Sequence, residues 1–131
     1  MNDFNLDTIR LSLHILAVAI WVGGQVLMMG LVPVLRELSP DAPRQAAARF
    51  GQIAWSAFGV AVVTGIWNIM DLEGTQTNEY NATLGVKLLA VTLSGMMAFL
   101  HQRTPSPAMR GITGALGFFA ALAALILGVM L

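Results

Sequence analysis

The sequence predicts an all-α integral membrane protein, a bundle of four transmembrane helices with both termini outside the cytoplasm. Its composition, its long apolar stretches and the placement of its basic residues support this class. Of the 131 residues, 56% are hydrophobic and 11% are charged, whereas about 25% are charged in a typical soluble domain. A soluble chain this small could not bury so much apolar surface. We therefore expect residues 1–131 to form one membrane domain with lipid as its main partner.

Four stretches approach the length of about 17 to 25 residues that a helix needs to cross a bilayer. The predicted spans cover about residues 9–35, 46–70, 83–101 and 111–131. The first is expected to end near Pro33, and the third contains Lys87. The fourth has no ionisable residue, which suits a packing or oligomer helix. No repeat is evident between the two halves of the sequence.

The distribution of basic residues predicts how the spans are oriented in the membrane. Five arginines lie in the first and third connections: Arg36, Arg44, Arg49, Arg103 and Arg110. The second connection has three acids and no base, and the N-terminal end of the chain offers only Arg10. Because cytoplasmic loops carry an excess of Lys and Arg, the first and third connections are predicted to be cytoplasmic. The protein would then cross the membrane four times, with both termini on the outer side.

Some functional classes are disfavoured by composition. The chain has no cysteine, so a disulfide, a thiolate metal site or a cysteine nucleophile cannot form. Its formal net charge is zero and it has no basic run, so nucleic acid is not an expected partner.

Polar side chains in three spans are predicted to converge in the outer half of the membrane. Trp21 and Gln25 lie on the same face of the first span as His14. Lys87 in the third span and Asn68 in the second fall within roughly one helical turn of the same depth. Ionisable groups inside a span are costly and usually functional. We predict a cofactor-binding site made by His14, Lys87, Asn68 and Trp21, with His14 as the metal ligand.

Structural roles compete with this hypothesis. Lys87 near the end of its span could extend its amine to the headgroups, and His14 could bond a backbone carbonyl or Asn68. His101 beside Arg103 is expected at the cytoplasmic boundary, about 20 Å along the axis from His14, so the two cannot share one metal. Four methionines could give a soft Cu(I) site or simply fill the core: Met28, Met29, Met96 and Met97.

Three segments resemble the membrane domain of the copper resistance protein D (CopD) family. They are "LHILAVAIWVGG", "RFGQIAWSAFGVAVVTGIWN" and "LGVKLLAVTLSG". The matching positions are His14, Trp21, Gly23, Gly24, Arg49, Phe50, Thr64, Gly65, Gly85 and Lys87. The resemblance implies a multi-pass protein of the bacterial plasma membrane with a role in copper homeostasis, although larger family members have about eight spans.

The chain is also similar, more distantly, to the HemJ-type protoporphyrinogen oxidases, four-span proteins associated with haem. That resemblance implies haem b, with His14 as a ligand and Lys87 beside a propionate. Copper and haem b therefore both stay open as cofactors, and whether the protein is an enzyme is undecided. A third alternative is a non-catalytic subunit of a larger membrane complex, and a homo-oligomer is also expected.

Overall fold

The computed structural model describes residues 4–72, 74 and 76–131. Over these residues the regular structure is entirely α-helical, and four helices are long and apolar enough to cross a membrane. The helices are α1 (Leu6–Leu38), α2 (Ala42–Met70), α3 (Asn78–Arg103) and α4 (Pro107–Met130). The prediction of an all-α protein with four spans is therefore confirmed.

Polar caps make the helices start earlier than their apolar stretches. At the start of α1, the Asn5 side chain accepts a hydrogen bond from the Thr8 backbone N–H at 3.0 Å, and the Thr8 side chain accepts one from the Asn5 backbone. Thr77 and Ser106 cap α3 and α4 through their hydroxyl groups. Such caps satisfy backbone N–H groups that have no partner within the helix. The predicted spans began at the first apolar residues and therefore omitted these polar first turns.

The first span was predicted to end near Pro33, and helix α1 continues through this proline to Leu38. Proline removes one backbone donor and its ring crowds the preceding turn. Membrane helices tolerate such a residue when neighbouring groups satisfy the freed carbonyl. The last turn of α1 contains Arg36, a favourable charge at the C-terminal end of a helix.

Helices α1 and α2 form an antiparallel hairpin joined by residues 39–41. At its open end, Arg10 Nη1 lies 2.8 Å from Asp71 Oδ2. Near the connection, Gly24 lies against the ring of Phe50. In the connection itself, the hydrogen bond from Gln45, with a further contribution from Arg44, holds the pKa of Asp41 below its usual value.

Helices α3 and α4 form a second antiparallel hairpin, joined by residues 104–106. Small residues make the contact: a Cβ at Gly117 would lie 3.1 Å from Met97 Cβ and 3.7 Å from the Ser94 carbonyl oxygen. Ala121 and Ser94 are each 2% exposed. Small side chains let helix backbones approach closely in lipid, where no hydrophobic force drives helices together.

Large apolar side chains cover the outer surfaces of both hairpins. Leu27, Leu89 and Val129 are 66%, 72% and 81% exposed. Between 11% and 22% of the most apolar window of each helix is buried within the protein. A contiguous apolar surface of this kind is not stable in water. The chain is therefore a multi-pass membrane protein with lipid as a partner.

Candidate functional site

His14 lies on the face of α1 that contacts α2. Its Nδ1 atom is 3.0 Å from the Ala61 carbonyl oxygen and 2.9 Å from Thr64 Oγ1. A Cβ on Gly65 would lie 3.4 Å from His14 Cε1, so this glycine leaves room for the imidazole. The polar face predicted for the first span therefore points toward the second.

The hydrogen bonds of Thr64 determine which nitrogen of His14 carries a proton. The Thr64 hydroxyl group donates to the Val60 carbonyl oxygen at 2.7 Å, with the Ala61 carbonyl as its alternative acceptor at 3.2 Å. Since both carbonyls can only accept and the hydroxyl has one proton, the Thr64 oxygen accepts from His14. His14 Nδ1 is consequently the donor. In the neutral ring, Nε2 then carries the lone pair, which is the state that a metal ligand requires.

The positive charge nearest to His14 along α1 is compensated. Arg10, one helical turn earlier, pairs with Asp71 and also lies 3.1 Å from Asp7. Its guanidinium carbon is 5.7 Å from the centre of the Trp67 ring system. Two carboxylates and an aromatic face thus balance the guanidinium charge at the open end of the hairpin.

Trp21 is 7% exposed and belongs to an aromatic cluster between α1 and α2. Its ring centroid lies 4.6 Å from that of Phe58 and 5.3 Å from that of Trp55. These tilted contacts are favourable for aromatic rings. Trp21 lies two helical turns from His14, so its observed contacts are those of a packing residue. Gln25 donates a hydrogen bond to the Trp21 carbonyl oxygen.

The other two predicted site residues lie in different hairpins. Asn68 is half-buried on α2, one turn beyond Thr64, which is the residue that actually bonds His14. Lys87 belongs to the second hairpin, where a Cβ on Gly128 would lie 3.1 Å from its Nζ atom. The structure therefore places Asn68 near the His14 end of the first hairpin. The association of Lys87 with His14 stays a prediction from the sequence.

His101 has the same kind of contacts in the second hairpin. Its Nδ1 atom lies 2.7 Å from the Arg110 carbonyl oxygen, which can only accept. A Cβ on Gly114 would lie 3.1 Å from both Cε1 and Nδ1 of this ring. The Thr113 hydroxyl group donates to the Met109 carbonyl oxygen at 2.8 Å. His101 therefore also carries its proton on Nδ1.

The two histidines occupy matching local structures, which we call histidine clamps. In each clamp, histidine Nδ1 bonds a carbonyl of the partner helix, followed three residues later by threonine and four residues later by glycine. The chain has the dipeptide Thr-Gly at 64–65 and 113–114. The clamps lie at the open end of one hairpin and the closed end of the other, so the two halves of the sequence do not align as a repeat. The repeated Thr-Gly pair was the sequence feature that could have revealed the second clamp.

Neither clamp is a cluster of acidic or imidazole ligands. Among the described residues, no group of three or more His, Asp or Glu side chains could hold a metal ion. A groove of about 460 Å³ lies along the first hairpin, and its lining includes Leu13, Ile53 and Val60. Arg49 and Gln52, which hydrogen-bond at 3.0 Å, contribute polar atoms to it. His14 is not part of this lining, so the groove and the clamp are separate features.

Comparison with protein families gives one match. The family model described as copper resistance protein D matches residues 44–131. The match runs from the first turn of α2 through α4 and includes Thr64, Lys87 and His101, whereas His14 precedes it. No curated protein and no solved structure matches the chain.

Proposed function

Because the chain belongs to the copper resistance protein D family, we propose that it handles copper in the bacterial plasma membrane and binds Cu(I) at His14. Copper is then the ion that the protein handles and not a resident cofactor. The observation that carries the proposal is the donation from His14 Nδ1 to the Ala61 carbonyl and the Thr64 hydroxyl, which orients the ring and, in the neutral imidazole, puts the lone pair on Nε2, the nitrogen that would bind the metal.

The available donors favour copper in its reduced state. Hard divalent cations require several oxygen ligands, and the described residues offer no acidic cluster. Cu(I) instead accepts soft ligands, such as thioethers, together with imidazole, and needs few of them. A monovalent ion also carries the smallest charge into an apolar environment. The chain has 8 methionines and no cysteine, so thioethers are its soft donors.

The first experiment measures metal binding by the purified full-length protein in detergent. Cu(I) is titrated against a chromogenic chelator, and the absorption spectrum is recorded before and after the titration. We expect His14→Ala to remove one equivalent of bound Cu(I). Thr64→Val should weaken the same equivalent by about 10- to 100-fold, the usual effect of losing a group that orients a ligand. The matched control is Thr92→Val, since this exposed hydroxyl bonds only a carbonyl of its own helix.

The outcomes separate the three classes of function. A Soret band together with no Cu(I) bound would show a haem protein and overturn the proposal. An unchanged Cu(I) stoichiometry in a folded His14→Ala variant would exclude His14 as the ligand. Absence of both metal and haem would identify a non-catalytic subunit instead.

The direction in which a Lys87 substitution changes the affinity for Cu(I) tests the predicted site of His14, Lys87, Asn68 and Trp21. If Lys87 lies beside copper bound at His14, Lys87→Leu should tighten Cu(I) binding, because an ammonium group repels a cation. Lys87→Leu is chosen because it removes the charge next to Gly128 without adding a donor atom for copper. Weaker binding would indicate an anionic ligand, and no change would remove Lys87 from the site.

A further inference from the structure

The second histidine clamp presents the same ligand geometry as the first. His101 Nδ1 donates to the Arg110 carbonyl at 2.7 Å, a shorter distance than those from His14 Nδ1 to Ala61 and Thr64. Gly114 lies against the ring and leaves room for it, as Gly65 does for His14. In the neutral ring, this hydrogen bond orients the imidazole and puts its lone pair on Nε2. Metal-ligating histidines typically donate their other ring N–H to a backbone carbonyl in this way.

A thioether lies one helical turn from this imidazole. Met97 and His101 are four residues apart on α3, a spacing that brings side chains to the same helix face. Contacts with α4 confirm that they share a face: Met97 Cβ lies against Gly117, and the His101 ring lies against Gly114. The long, flexible side chain of methionine can adapt to a ligand.

We propose that His101 Nε2 and the Met97 sulfur form a second Cu(I) site, at the closed end of the α3–α4 hairpin. The inference extends the proposed function by adding a site that the sequence did not predict. If the orientation predicted from the arginines holds, this site faces the cytoplasm while His14 lies toward the outer side. The chain would then have a copper contact near each membrane surface.

Two nearby arginines affect how strongly this site can bind a cation. Arg103 and Arg110 both lie at this end of the hairpin, and either would repel a cation. Each guanidinium group has another partner: that of Arg103 lies 4.6 Å from the Phe99 ring centroid, and Arg110 Nη2 lies 3.5 Å from the Thr104 carbonyl oxygen. A soft ion bound by sulfur and nitrogen gains most from the ligand bonds and little from ionic attraction. The repulsion therefore lowers the affinity without removing the site.

The test uses Ag(I) as a redox-inert probe for Cu(I), with full-length protein in detergent. The wild type should bind two equivalents, His14→Ala and His101→Ala one each, and the double variant none. In the His14→Ala background, Met97→Leu should weaken Ag(I) binding at least tenfold. Met96→Leu is the matched control, because Met96 is 55% exposed and lies on another face, and it should leave the affinity unchanged.

Two further measurements keep the inference testable if His101→Ala does not fold. The ¹⁵N resonance of His101 Nε2 should shift on Ag(I) addition while Nδ1 keeps its proton. Arg110→Gln, which retains the carbonyl, should tighten Ag(I) binding. An unshifted Nε2 resonance, equal effects of the two methionine variants, or weaker binding by Arg110→Gln would overturn the second site; the last would indicate an anionic headgroup. Loss of binding in His101→Ala but not in His14→Ala would instead overturn only the site proposed at His14.

Discussion

Gly24 is the position where a single methyl group should disturb the first hairpin most. A Cβ added there would lie 2.6 Å from Phe50 Cζ and 3.3 Å from Cδ2, and still closer to Cε2. Because real Cβ atoms do not approach other atoms this closely, the Phe50 ring must move. Overpacking of this kind costs roughly 1–3 kcal/mol. The adjacent Gly23 has nothing within 4 Å of such a Cβ.

Gly23→Ala is therefore a matched control that changes the same residue type on the same helix. In a helix interior, alanine stabilises by about 0.5–1 kcal/mol relative to glycine. Because this gain applies to both variants and cancels, we expect Gly24→Ala to be less stable than Gly23→Ala by about 1–3 kcal/mol, the cost of overpacking alone. Reversible unfolding in mixed micelles, with increasing SDS and detection by tryptophan fluorescence, measures this difference.

A double variant identifies the clash as the cause. Phe50→Leu shortens the side chain that Gly24→Ala meets, so the combination should recover part of the lost free energy of unfolding. A coupling of about 0.5–3 kcal/mol is typical of residues in contact. Equal stability of the two alanine variants, or strictly additive effects with Phe50→Leu, would refute the contact between α1 and α2 described here.

Three other predictions concern the clamps, the open end of the first hairpin and the topology. Gly114→Ala should shift the resonances of its histidine more than Gly65→Ala, because the new Cβ would lie 3.1 Å rather than 3.4 Å from the ring; equal shifts would contradict this. Arg10→Gln should lower the free energy of unfolding more than Asp71→Asn, since Asp71 is half-exposed and such ion pairs contribute about 0.2–1 kcal/mol, whereas arginine also contacts a second carboxylate and an indole. A larger loss of unfolding free energy in Asp71→Asn than in Arg10→Gln, measured by SDS titration, would contradict this prediction. A reporter fused after Leu131 should be active only outside the cytoplasm, and cytoplasmic activity would reverse the predicted orientation.

The sequence was sufficient to predict the four helices, because apolar length alone distinguishes a membrane span. It was less informative at their ends. Asn5 and Thr8 form a cap by mutual hydrogen bonds, and Pro33 lies within a helix that was expected to end there. Both features depend on which groups hydrogen-bond to the backbone N–H and C=O groups nearby. The length of an apolar stretch does not reveal this.

The contacts of His14 were predicted in part. A backbone carbonyl or Asn68 was expected as its partner, since an imidazole in lipid requires one, and the structure shows the Ala61 carbonyl. The contact with Thr64 in place of Asn68 was not predicted. A backbone carbonyl has no sequence signature, and the register between two helices decides which threonine meets the ring. The His101 clamp was overlooked for the same reason.

Each hairpin closes through a connection of three residues, 39–41 in the first and 104–106 in the second. Closing so short a loop has a small entropic cost, and the contacts within each hairpin are between neighbouring helices. During synthesis, α1 can therefore pair with α2 before α3 exists, as N-terminal parts of a chain generally fold first. The Ala61 carbonyl reaches His14 in that same step. The His14 imidazole is thus exposed to lipid only briefly during assembly, and the first hairpin alone orients its ring.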